Sequence, residues 1–299
     1  MIPRTDLRTP LQTRPICSEL GMVSISEADG SAMYSQGRTK VFTTVSGTID
    51  NISHSVIMRV VINFPFVDSG PAQPKYSRHE LYDTATVDFD IFFSNSPNAT
   101  SVINDSSNAS ENNFYEKRLI IFLRKSLQGC LPLKSYPRML IYFRVTVLCD
   151  CGSVMSVALN SCVLALMDAG LPLLFVPSSV SFCVSPHGEV YLDPTEQEEH
   201  NAAAGLLFTV RPAAESAPIG TIIAAELFYN SSSNSSKDVD PSLDIFSSDF
   251  IARSTESAFK AALAVSSQMR RIAEKRLGGS EESSLLEANG AGERQAFKK

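Results

Sequence analysis

Two stretches of this chain bring together residue types that can do chemistry. The first, Asp193-Pro-Thr-Glu-Gln-Glu-Glu199, gathers Asp193, Glu196, Glu198 and Glu199, oxygen ligands that could collect a divalent ion. Carboxylates are also what a helix dipole favours at a helix start, and on that reading they are a solvated surface and nothing more. The second stretch, Gly152-Ser153-Val154-Met155-Ser156, stands at the start of a predicted helix. Its backbone N–H groups and the hydroxyls of Ser153 or Ser156 could attract an anion weakly, whereas Val154 and Met155 contribute only apolar surface.

Other chemistries find little support. His54, His79, His187 and His200 are scattered, with no Ser or Cys partner at a recognisable spacing, so a nucleophilic triad is unsupported. Cysteines stand at 17, 130, 149, 151, 162 and 183 without a CxxC pair. Cys149 and Cys151 share one face of a strand, yet a second ligand pair for zinc is missing, and the cysteines are expected to be buried, reduced thiols. Basic side chains occur as Arg38 and Lys40 after a turn and as Arg118, Arg124 and Lys125 on one helix face; such groups are usually only soluble surface. Tyr34 could stack a base, though an aromatic on a strand is more often core.

The scaffold that must position these residues is a folded α+β protein. The chain has 299 residues, 43 % of them hydrophobic, enough to bury a sizeable core. A formal net charge of −6 argues against a basic surface over the whole protein of the kind that binds duplex DNA unaided. The opening MIPRTDLRTP has no apolar signal core, and no run reaches the roughly 18 apolar residues of a membrane span, so an intracellular, reducing location is expected. Asn-x-Ser/Thr triplets beginning at Asn51, Asn98, Asn104, Asn108, Asn230 and Asn234 then read as loop composition rather than as glycan acceptors.

Periodicity gives the element order. MVSIS from Met22 and KVFTTVSG from Lys40 read as strands joined around the turn at Asp29-Gly30. Val56 to Phe66 is another β-rich run, and Thr84 to Phe93 alternates Val87, Phe89 and Ile91 against Asp88 and Asp90 as a half-exposed strand. A helix begins near Phe114, with Leu119, Phe122 or Leu123, and Leu127 on its apolar face. Arg138 to Leu148 is a central buried strand, followed by a helix from about Ser156 to Ala169 that Gly170 and Pro172 stop. Strands follow on either side of Pro186-His187-Gly188, then the acidic turn, then GLLFTVRP and GTIIAAELFY, and last a helix from about Asp249 to Leu277. The expected organisation is a single domain over 1–277, with polar insertions near 94–113 and 230–241 and a disordered tail over 278–299.

Certain motifs are more specific than this plan. They are Arg14-Pro15, ADGSAMYSQGRTKVFTTVSG from Ala28, LNSCVLALMDAGLPL from Leu159, Tyr136-Pro137-Arg138, Asp150-x-Gly152-Ser153 and Leu192-Asp193-Pro194. Together they resemble the RNase PH family, and within it the RNase PH-like ring subunits of the eukaryotic RNA exosome, particularly the kind called exosome component five. The resemblance implies an RNase PH fold of the ribosomal protein S5 domain 2-like kind, a mixed sheet packed by helices with a long C-terminal helix, assembled into a six-membered ring around an RNA-conducting channel.

In active members of that family a Gly-Thr-Arg turn grips the attacking phosphate and acidic residues near a later strand hold metal or act as acid. Here Val154 and Met155 stand where Thr and Arg would be, and His200-Asn-Ala-Ala-Ala occupies the place of a further Asp. The resemblance therefore implies a degenerate phosphate site at Gly152, Ser153, Val154, Met155 and Ser156, a vestigial acidic residue in Asp193, and no catalysis, cofactor or resident metal. It implies RNA contact through Arg14, Arg38, Lys40 and Arg118, with other ring subunits, cap proteins and single-stranded RNA as partners. The expected role is in 3′–5′ RNA degradation and rRNA processing in nucleus, nucleolus and cytoplasm. Two alternatives stay open: an active phosphorolytic 3′–5′ exoribonuclease, and a metal-dependent hydrolytic ribonuclease using Asp150, Asp193 and the glutamates.

Overall fold

The computed structural model describes residues 4, 6–23, 28–46, 83–94, 108–136, 140–186, 188–212, 220–229 and 248–296. Along them the order is β1 (Ile16–Leu20), β2 (Gly30–Gln36), β3 (Thr39–Ser46), β4 (Thr86–Phe93), α1 (Asn108–Gln128), β5 (Leu140–Cys149), α2 (Val154–Asp168), β6 (Ser178–Val184), β7 (Val190–Leu192), α3 (Glu196–Asn201), β8 (Ala204–Arg211), β9 (Thr221–Tyr229) and α4 (Ser248–Ala296). The strands form two sheets, β1-β2-β3-β5-β4 and β7-β6-β8-β9. In the first, β4 runs parallel to β5 and every other pairing is antiparallel, so that sheet is mixed. A parallel neighbour needs a crossover, which α1 supplies.

Helix α2 is the centre of the molecule. Every residue from Val154 to Leu166 is buried, as a helix apolar on all sides must be. It touches β2, β3 and β5 of one sheet and β6 and β8 of the other. The first sheet meets the core through alternate residues: Val41 and Val45 of β3, Val87 and Phe89 of β4, Phe143 and Val145 of β5. The Phe89 and Phe143 rings stack at 4.8 Å, and deleting a ring at such a site typically costs about 3–5 kcal/mol.

The DGSA and LALMDAG motifs meet each other. A Cβ on Gly30 would lie 2.4 Å from the Ala165 carbonyl oxygen and 2.5 Å from the Ala169 nitrogen, so β2 passes α2 at a distance only glycine permits. One residue on, the Ser31 N–H donates to Asp168 Oδ2 at 2.9 Å, while Arg276 of α4 holds Asp168 Oδ1 at 2.8 Å.

Several boundaries differ from the sequence reading. The β2–β3 reversal falls at Gly37-Arg38, where Gly37 has φ 62°, a glycine-first two-residue loop. GSAMYSQ has weak strand propensity and is a strand because β1 and β3 flank it. Strand β1 precedes Met22; residues 24–26 of the expected MVSIS strand, the 56–66 run and the 230–241 insertion lie outside the described residues. Helix α1 starts at Asn108, inside the expected polar insertion, the apolar stripe propagating helix into polar residues that need no burial. The acidic turn contains the short helix α3. Helix α4 continues through Gly278-Gly279 to Ala296 where a disordered tail is expected; glycines cost about 1 kcal/mol each in a helix, and the Glu, Leu and Ala that follow are good helix formers.

Candidate functional site

Strand β5 delivers the chain into α2 across Asp150-Cys151-Gly152-Ser153. Gly152 and Ser153 are consecutive positive-φ residues, at 95° and 61°. A Cβ at Gly152 would meet the Pro194 carbonyl oxygen and the Glu196 nitrogen, each at 2.6 Å, so the acidic segment lies directly on this turn. Four of the donors that could have served an anion are committed internally. The Gly152 N–H donates to Asp150 Oδ1 at 3.1 Å, and the Ser153 N–H to Glu199 Oε1 at 2.8 Å. The Ser153 hydroxyl donates to the Pro194 carbonyl at 3.0 Å and the Ser156 hydroxyl to the Ser153 carbonyl at 2.9 Å. Val154 and Met155 are 2 % and 6 % exposed and belong to the core.

Asp193, buried and itself at φ 53°, is gripped by Arg14. Nη2 donates to Oδ1 at 2.7 Å, and Nε and the Arg14 backbone N–H donate to Oδ2 at 3.0 and 2.7 Å. The same guanidinium donates to the carbonyls of Cys151 and Gly152 at 2.9 and 3.1 Å. Thr39 adds a hydroxyl donated to the Gly152 carbonyl at 2.7 Å. One cation thus ties the N-terminal segment, the α2 turn and the acidic segment together.

The rest of the acidic segment divides by environment. Thr195 and Glu198 form a reciprocal capping box on α3, and Arg4 holds Glu198 with two donors at 2.7 and 2.8 Å. Burial alone would push the Glu198 carboxyl up, but the hydrogen bonds from Arg4 and the Thr195 backbone, with the charges of Arg4 and Arg8, together outweigh it and hold the group below the ordinary range. Glu199 behaves oppositely. Its residue is exposed as a whole, but loss of water around the carboxyl end, together with the charges of Asp150 and Asp193, outweighs the Ser153 hydrogen bond and the Arg14 charge and raises it to about 7. Asp150 is also raised, first by burial. Asp193 and Glu198 are therefore bound by arginines, and among the described residues no three His, Cys, Asp or Glu side chains gather as a metal site. The solvated-surface reading is corrected for Asp193 and Glu198, which arginines hold, whereas Glu196 is exposed in the first turn of α3.

Two residues expected to contact RNA do other work. Arg14 is 6 % exposed and saturated by Asp193 and carbonyls. Arg118 stacks its guanidinium 3.8 Å over the Phe228 ring and pairs with Glu226 at 3.5 Å, fastening α1 to β9. Tyr34 is fully buried core and presents no ring to a base. Arg38 and Lys40 are exposed at the β2–β3 hairpin. The sequence reading missed Glu199 as the partner of Ser153, and Arg4. The Thr195-x-x-Glu198 capping box signals a helix start here, but neither the fold-back that brings Glu199 to Ser153 nor the placement of Arg4 has a local signal.

Known proteins resemble this chain in both sequence and fold. Residues 12–172 match the 3′ exoribonuclease family, domain 1 (RNase_PH). Exosome complex component MTR3 of Homo sapiens is 30 % identical over 207 residues, covering 69 % of each chain. Exosome complex exonuclease RRP46 homolog of Arabidopsis thaliana is 24 % identical over 203 residues, covering 68 % of each. Rice (Oryza sativa) Rrp46 superposes with a TM-score of 0.64 at 21 % identity, covering 91 % of this chain and all of that one. A chain of an archaeal exosome core superposes at 0.59 with 14 % identity, covering 89 % and 91 %. At these identities the two superpositions establish the fold alone.

Proposed function

Because the chain belongs to the 3′ exoribonuclease, or RNase PH, family, we propose that it is a non-catalytic structural and RNA-channel subunit of an exosome ring, supporting 3′–5′ RNA degradation and rRNA processing. Its curated relatives carry the names of exosome components, which supports the ring assignment. Other ring subunits and cap proteins are its partners and single-stranded RNA passes along it, Arg38 and Lys40 being the exposed cations for that contact. Nucleus, nucleolus and cytoplasm are the proposed locations.

The observation that carries the non-catalytic reading is the 2.8 Å hydrogen bond from the Ser153 N–H to Glu199. Phosphorolysis depends on holding a phosphate and neutralising charge as it reacts. Here the arginine beside the turn among the described residues, Arg14, is taken by Asp193, and the amide at the α2 start already faces a carboxyl group. Unit charges of like sign about 4 Å apart repel by about 4 kcal/mol at an effective dielectric near 20, so an ionised Glu199 disfavours a second anion.

The test is incubation of the chain, co-purified with a ring partner that is itself inactive, with end-labelled RNA and inorganic phosphate. No nucleoside diphosphate is expected. Phosphate-dependent release of diphosphates would install the phosphorolytic alternative, and monophosphates released only with magnesium or manganese would install the hydrolytic one.

A further inference from the structure

We propose that Cys149 and Cys151 form a dithiol site that closes reversibly to an intramolecular disulfide when challenged by a small-molecule disulfide such as oxidised glutathione. The two sulfurs already lie 3.6 Å apart, and both residues are partly exposed. Cys130, Cys162 and Cys183 are buried, and burial raises each of those thiols to about 12, so they have little thiolate to offer.

The backbone permits closure. Residues two apart are separated by at most about 7 Å, at the upper edge of the disulfide range. The chain bends at Cys151-Gly152, and the Asp150 carboxylate accepts from the Gly152 N–H. The sulfurs need to approach by about 1.5 Å to reach the ~2.05 Å of a bond. A ring this small is strained, and strained, accessible disulfides are the labile ones.

The charges around the pair set its reactivity. Lys40 stands opposite Cys149 in the β3–β5 register. Burial, the hydrogen bond with Cys149, and the carboxylates of Glu196 and Asp150 all raise the Cys151 thiol, so closure is slow at neutral pH and quickens as pH rises. In the reaction, one protein thiolate attacks glutathione disulfide, forming a protein–glutathione disulfide and expelling one glutathione thiolate. The second protein thiol loses its proton to solvent, attacks the protein sulfur of that mixed disulfide and expels the other. Two protein thiols are oxidised, and one glutathione disulfide is reduced to two thiols.

Closure reaches beyond the pair. The Cys151 carbonyl accepts from Arg14 Nη1 at 2.9 Å and from the Glu196 N–H at 3.1 Å, so tightening this turn strains the tie between α2 and the acidic segment.

The experiment takes the full chain, purified reduced, through glutathione buffers of graded oxidation, with acid quenching, alkylation and peptide mass analysis. Expected is the loss of two hydrogens within the peptide that holds both Cys149 and Cys151, reversed by dithiothreitol, with faster amide exchange at Glu196 in the oxidised form. In Cys149→Ser or Cys151→Ser the remaining thiol should instead retain glutathione. If the exposed Cys17 is glutathionylated while Cys149 and Cys151 stay reduced or each keep glutathione separately, the proposal is overturned. Unchanged exchange at Glu196 on closure would overturn its reach to the acidic segment.

Discussion

Arg14 and Asp193, 179 positions apart, are joined by a buried bidentate pair in which one carboxylate takes three hydrogen bonds. Breaking a buried pair by removing one partner leaves a charge without compensation and typically costs about 3–5 kcal/mol. Arg14→Ala and Asp193→Asn should each lower the unfolding free energy by that order. Arg14→Lys should not rescue, because an ammonium cannot hold both carboxylate oxygens and two carbonyls in one plane. Denaturant unfolding of the three variants checks this. A near-native Arg14→Ala would mean that the acidic segment is held some other way.

At Gly152 the backbone argument is independent of charge. A methyl group there meets backbone atoms at 2.6 Å, at φ 95°. Gly152→Ala should therefore destabilise by more than about 2 kcal/mol, whereas Gly170→Ala, also at positive φ but with open space around it, should cost about 1 kcal/mol. Comparison of the two midpoints separates the collision from the dihedral strain.

Glu199 makes a pH prediction whose sign is fixed. Its carboxyl is raised in the folded state, from 4.5 to about 7, so folding favours the protonated form. The stability it contributes is complete below about pH 4.5 and is lost as pH rises through about 7. Glu198, held low by Arg4, works in the opposite sense and is lost on acidification. The melting temperature of Glu199→Gln minus that of the native chain should accordingly grow between about pH 5 and about pH 8. The effect is modest because much of the Glu199 side chain stays in water. A flat difference would contradict the desolvated carboxyl.

For RNA, the prediction separates free cations from committed ones. Each phosphate contact in single-stranded RNA contributes about 0.7 to the slope of log affinity against log salt. Arg38→Gln with Lys40→Gln, measured in the assembled complex, should reduce that slope by about 1.4. Arg118→Ala should leave the slope unchanged and cost about 0.5–1 kcal/mol of stability through its lost ring contact.

What the sequence made legible is what local pattern controls. Val87, Phe89 and Ile91 alternate as β4, the Phe122-to-Leu127 stripe is α1, and Gly170 ends α2 at φ 69°. The α+β class and the long last helix follow from the same patterns. Gly30 was read as a turn glycine, yet its role is the close pass of α2, a contact between segments more than a hundred residues apart that no local window contains. Arg14 failed as an RNA contact for the same reason: its charge is cancelled by a carboxylate 179 positions away. The turn at Gly152 to Ser156 reads in the sequence as a degenerate phosphate site, and Val154 and Met155 there are buried in the core. That Glu199 takes the Ser153 amide depends on how the acidic segment folds back, which only the tertiary structure reveals.

The most direct measurement follows the Ser153 backbone amide resonance while inorganic phosphate is titrated in at constant pH and ionic strength. The account predicts a shift that ignores phosphate up to millimolar concentrations and moves instead with pH near 7, as Glu199 ionises. A saturable, phosphate-dependent shift of the native Ser153 amide would contradict it, because the α2 start would then be an anion site in use.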